Sequence, residues 1–183
     1  MYRVILIVIS IIALAACSRS DPVMEVPGGG ILTLYGAIDR VDRGPVDPAT
    51  EPLFARYGIA FETACVLNFG ALDAPPQHIV RTDYPAGGTV HGFSGPLVRD
   101  VLAIGGVSGG TLIVTALDGY QREIPVTMMI EHDVIFAIRK DGDALPLGGL
   151  GPVMLVWPRG TDAALDGMND DDWVWGVLAI EVR

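Results

Sequence analysis

The sequence predicts an α+β fold: a β-rich, mixed-sheet domain with a few short helices. Three observations carry this. Apolar, β-branched runs of four to eight residues recur along the chain, and two of them flank Asp118-Gly119. One segment alone, Ser94 to Gly105, has a sustained helical pattern. Hydrophobic residues make up 50% of 183 positions, with 23 Gly and 13 Pro, so the chain folds and turns often.

The strands follow in order. Ile31–Tyr35 alternates apolar and mixed residues. His78–Thr82 and Thr89–Phe93 are weaker strand signals. Thr111–Leu117 and Tyr120–Ile124 form a hairpin, because Asp-Gly tolerates the positive φ that a two-residue type I′ turn needs. Val134–Arg139 leads into a second turn at Lys140-Asp141-Gly142-Asp143. Val153–Trp157 and Trp173–Val182 complete the set, and Trp173 and Trp175 share one face by period two, as core anchors.

Helices are few. In Ser94–Gly105, Pro96 suits N1 and Gly105 suits C′, with Leu97, Val98, Val101, Leu102 and Ile104 as the apolar face. A second short helix is expected over Glu62–Phe69, and a turn of helix over Thr127–Glu131 capped by Thr127. Gly105–Gly110 follows a helix and precedes a strand, so it is a connection and not a dinucleotide loop.

The first thirty residues read differently. Arg3 precedes an apolar run, Val4–Ala13, that is too short to span a bilayer and ends in Leu14-Ala15-Ala16-Cys17. That tetrapeptide resembles the lipobox of bacterial lipoproteins. It implies a signal peptide over residues 1–16, lipidation at Cys17, a tether over 17–30 and a domain over 31–183. Ser18 after the cysteine favours the outer membrane, so the expected place is the bacterial cell envelope, facing the periplasm. The lipid makes the membrane a partner and leaves Cys65 as the free thiol.

Several chemistries are excluded. A net charge of −10 argues against nucleic acid. There is no phosphate-binding P-loop, no Gly-x-Ser-x-Gly elbow and no His-Glu-x-x-His pair. Asp162, Asp166, Asp170, Asp171 and Asp172 miss the calcium-loop spacing and read as a solvated loop. His132 is expected in solvent beside a turn; His78 and His91 flank an irregular region and are candidates to share a cleft.

Phe93-Ser94-Gly95-Pro96-Leu97-Val98-Arg99-Asp100-Val101-Leu102, Ala116–Pro125 and Gly148–Pro158 occur in that order, followed by the closing strand Trp173–Val182. Together they resemble the molybdopterin-binding domain of the sulfite-oxidase family of oxidoreductases. The resemblance implies a pterin-held molybdenum with a cysteine thiolate as the protein's ligand. In the family that cysteine follows a strand shortly before the helix. The matching stretch here is Ile79-Val80-Arg81-Thr82-Asp83-Tyr84-Pro85, without cysteine, while Cys65 lies upstream in an apolar segment. Met154 and Leu155 stand where an arginine is common, and Val174 and Trp175 where a lysine is.

The expectation is therefore a lipid-anchored envelope protein that keeps this fold without the metal ligand. It would act as a binding or assembly module, with a protein partner in the envelope and no bound metal or cofactor. Arg81, Asp83, Tyr84 and His91 are the candidate ligand pocket. The alternative is an active molybdopterin-dependent oxidoreductase, holding the pterin by backbone and Arg81, with Asp83 or Cys65 near the metal.

Overall fold

The computed structural model describes residues 29–183; Cys17 and the signal-peptide segment lie outside them. The chain runs through β1 (Leu32–Gly36), α1 (Pro52–Arg56), β2 (Ala64–Leu67), α2 (Phe69–Asp73), β3 (His78–Asp83), β4 (Val90–Gly95) and α3 (Val98–Ile104). It continues through β5 (Thr111–Ala116), β6 (Gln121–Pro125), α4 (Val126–Glu131), β7 (Ile135–Ala137), β8 (Arg139–Lys140), β9 (Asp143–Ala144), β10 (Met154–Val156) and β11 (Val177–Val182). Among the described residues no helix is long and apolar enough to cross a membrane.

A five-stranded sheet has the order β2-β1-β11-β5-β6, and a four-stranded sheet the order β3-β4-β8-β9, with β10-β7 a short ladder of their own. The fold is thus α+β with a mixed sheet: β1 runs parallel to β11, and the remaining pairs are antiparallel. Residues 32–35 of β1 are all buried, so both of its faces are covered. Leu32 and Leu34 join the main core, while Tyr35 joins a second cluster with Phe54, Ile59, Ala64 and Ala179. α1, which no helical period in the sequence announces, brings Phe54 to this second cluster. There Phe61 lies 5.2 Å from Tyr35 and 5.8 Å from Phe54, with the Arg43 guanidinium 4.9 Å above Phe61.

The expected helix over Glu62–Phe69 is instead β2, with Cys65 paired to Leu34, and the helix begins only at Phe69. Asn68 explains the start: its side chain accepts from the Ala71 N–H at 2.8 Å, an N-cap placed after the strand. α3 starts later than expected, with Leu97 as N-cap, because Ser94 and Gly95 belong to β4. Gly95 lies so close to β7 that a Cβ would sit 1.9 Å from the Phe136 carbonyl oxygen. At the other end Gly105 keeps φ −81°, and it is Gly106 that turns to +76°. α4 begins at Val126 after Pro125, and Thr127 makes no cap.

The two Asp-Gly turns that close hairpins differ. At the β5–β6 turn only Gly119 has positive φ, +90°, and Gly119 N–H donates to Ala116 O at 3.0 Å. This is a three-residue loop with a left-handed third residue, not the expected type I′ turn. The type I′ geometry occurs at β8–β9, where Asp141 and Gly142 have φ 52° and 94°. Trp173 is buried, but Trp175 is 37% exposed and is not a core anchor. β11 starts only at Val177, beyond this pair.

Candidate functional site

β3 and the residue that follows it border two clefts. Its first half lines a cleft of about 490 Å³ with Arg99, His132, Asp133 and Asp162. Tyr84, immediately after β3, lines another of about 230 Å³ with Tyr120, Asp170, Trp173 and Trp175.

Arg159 ties the end of β3 to the acidic loop. Its Nε donates to Asp83 Oδ1 at 3.0 Å, and its Nη1 to Asp170 Oδ1 and the Met168 carbonyl, both at 2.8 Å. Its Nη2 donates to the Asp83 carbonyl at 2.8 Å, and the guanidinium lies 4.6 Å over the Trp173 ring. Asp83 also accepts from the Gly87 N–H at 2.5 Å. That bond, with the guanidinium, holds the Asp83 carboxyl below the usual carboxylate range. Tyr84 stacks on Trp173 at 5.5 Å between centroids and 19° between planes.

In the larger cleft His132 Nδ1 lies 2.7 Å from Asp162 Oδ2. The histidine is half-buried and paired, not solvated as expected. This bond, with the Ala164 N–H, lowers the Asp162 pKa. Arg99 is paired with Asp133. Arg81 is exposed and makes none of the ion pairs found among the described residues.

The four sequence candidates therefore do not share one pocket. Arg81 lines the larger cleft, Tyr84 the smaller, and Asp83 is engaged by Arg159. His91 stands apart: its Nδ1 lies 2.6 Å from Asp141 Oδ2, while the other Asp141 oxygen accepts from Gly92 N–H at 2.8 Å. Nor do His78 and His91 share a cleft. They pair with Gly95 and Thr82 respectively, well apart along the β3–β4 ladder, and His78 lines the larger cleft with His132. Sequence reasoning missed Arg159, Asp170 and the His132–Asp162 pair. One signal was available: Arg159 is the sole basic residue between Lys140 and Arg183, amid a run of aspartates.

Cys65, the thiol among the described residues, is fully buried in β2. Burial pushes its pKa up, and the neighbouring Asp42 carboxylate, 3.7 Å from Sγ, adds to the rise. Among the described residues no group of three His, Cys, Asp or Glu side chains is placed to hold a metal.

No family model and no curated protein matches the chain. Among solved structures it is similar to the sulfane dehydrogenase SoxCD from Paracoccus pantotrophus, with a TM-score of 0.56 and 18% identity. The domain shares its fold with that dehydrogenase. The match covers 83% of this chain and 37% of the SoxCD chain, so this chain spans little more than a third of SoxCD. At this identity the SoxCD likeness establishes the fold alone, and it agrees with the α+β expectation.

Proposed function

We propose that this is a lipid-anchored protein of the bacterial cell envelope whose molybdopterin-oxidoreductase-like fold works as a binding or assembly module. One observation carries the proposal. In the stretch that matches the family's ligand cysteine, Asp83 is bound by Arg159 and by the Gly87 N–H, and no thiol is near it in sequence. A carboxylate is a hard oxygen donor and a poor replacement for a soft thiolate. Cys65 belongs to an edge strand of the five-stranded sheet, whereas Asp83 ends a strand of the four-stranded one. Its raised pKa disfavours the thiolate form that binds metal. The residues present do not fit a molybdenum centre.

Cys17, after Leu14-Ala15-Ala16, supports the anchor and a periplasm-facing place, with the outer membrane favoured by Ser18. The partners are the membrane, through the lipid, and a protein of the envelope. A second reading, an active molybdopterin-dependent oxidoreductase, draws support from the likeness to a dehydrogenase and from the unpaired Arg81. The molybdenum content of protein purified from molybdenum-replete cells separates the two. The binding-module reading expects no stoichiometric metal; the enzyme reading expects near-equimolar metal with pterin.

A further inference from the structure

We propose that the cavity walled by Tyr84, Tyr120, Trp173 and Trp175 binds a small organic ammonium ion. This goes beyond the module reading and does not depend on the metal argument.

The rings come first. Trp173 is already in contact with Tyr84, stacked at 5.5 Å, and with the Arg159 guanidinium at 4.6 Å. Trp175 and Tyr120 make no ring–ring or cation–ring contact among the described residues, and they are 37% and 44% exposed. Tyr120 is nevertheless held in place. Its hydroxyl donates to the Asp171 carbonyl at 3.0 Å, and its N–H donates to Asp118 Oδ1 at 2.9 Å. The three-residue turn at Gly119 thus fixes one ring against the loop that carries the tryptophans. A positioned ring face is electron-rich and attracts a cation placed over it.

The charge agrees. Asp118, Asp170 and Asp171 line the cavity, and no Lys, Arg or His does. Arg159 neutralises Asp170, but Asp118 and Asp171 make no ion pair among the described residues. The larger cleft offers no such selection, because its lining mixes Arg81 and Arg99 with Glu131, Asp133 and Asp162. At about 230 Å³ the aromatic cavity lies below the common ligand range of roughly 300–1,000 Å³, which limits the occupant to a small head group.

Choline and its uncharged isostere 3,3-dimethylbutan-1-ol test the proposal, titrated into the full chain and followed by tryptophan fluorescence and calorimetry. Choline is expected to bind saturably, and the alcohol at least about tenfold more weakly, since it lacks the charge that the ring faces and carboxylates recognise. Trp175→Ala should weaken choline about tenfold, and Tyr120→Leu by a similar factor. Asp118→Asn should weaken it about threefold and flatten its salt dependence. Circular dichroism and the unfolding temperature show that each variant is folded; both ring positions are exposed, so the two variants check one another. Equal binding of the alcohol, no effect of either ring variant in folded protein, or no saturable response to choline by about 10 mM would each overturn the proposal.

Discussion

Replacing Arg159 by Gln removes the charge that joins Asp83, at the end of β3, to Asp170 in the acidic loop. The side chain of Arg159 is 9% exposed, and those of Asp83 and Asp170 are 24% and 28% exposed. Breaking a buried pair by deleting one partner costs about 3–5 kcal/mol, because the other charge is left without compensation. Here both carboxylates keep some contact with water, and Asp83 keeps its Gly87 N–H. That lowers the expected loss to roughly 2–4 kcal/mol. For a domain of this size about 2–4 °C in Tm accompanies each kcal/mol, so the midpoint should fall by about 5–15 °C. Urea and thermal unfolding followed by circular dichroism measure both quantities. Asp83→Asn in the Arg159→Gln background should recover part of the loss, since it removes the stranded charge. A loss below about 0.5 kcal/mol, the scale of an ordinary surface change, would refute the reasoning that this pair holds the loop.

Three further outcomes are expected. Leu102, 1% exposed in α3, should cost about 2–5 kcal/mol when cut to Ala, measured by urea unfolding; a loss under about 0.5 kcal/mol would mean the α3 face is not packed. Cys17→Ser should give an unprocessed or soluble species on fractionation, because acyl chains worth about 0.8 kcal/mol per buried CH₂ cannot be attached. In acid, Asp83, Asp141 and Asp162 have folded pKa values below their ordinary ones, through the Gly87 N–H, the Gly92 N–H and His132 respectively. Their contribution is present above the ordinary aspartate pKa and lost as pH falls through the lower folded values, so the urea midpoint should decline from about pH 4 downward. A midpoint constant from about pH 5 to pH 2.5 would contradict this linkage.

The fold was legible where one local signal had no rival. The β-branched runs at Thr111 and Val153 became β5 and β10, and the apolar face of Leu97, Val98, Val101 and Leu102 became α3. The segment around Cys65 misled because Ala64–Leu67 is a short apolar run, a pattern that a short buried strand and a buried helix share. Pairing with β1 decides it, and that pairing joins residues about thirty positions apart. Asp118-Gly119 showed that a turn occurs but not which turn, since Asp118 keeps negative φ while Asp141 does not. The site was less legible. Arg81 and Asp83 lie on β3, Tyr84 just after it and His91 on β4, but Arg159 engages Asp83, Asp141 holds His91 and Tyr84 stacks on Trp173, so they end in separate places. His132 and Asp162 are thirty residues apart, and no local pattern links them.

We propose above that this chain keeps the fold it shares with SoxCD without a ligand for molybdenum. Molybdenum-to-protein stoichiometry by elemental analysis, with pterin assayed on the same sample after oxidative release, tests it most directly. Protein from a molybdenum-replete host should carry far less than one metal per chain, and neither Cys65→Ala nor Asp83→Asn should change that value. Near-equimolar molybdenum with pterin, lost in either variant, would contradict the account and establish the enzyme.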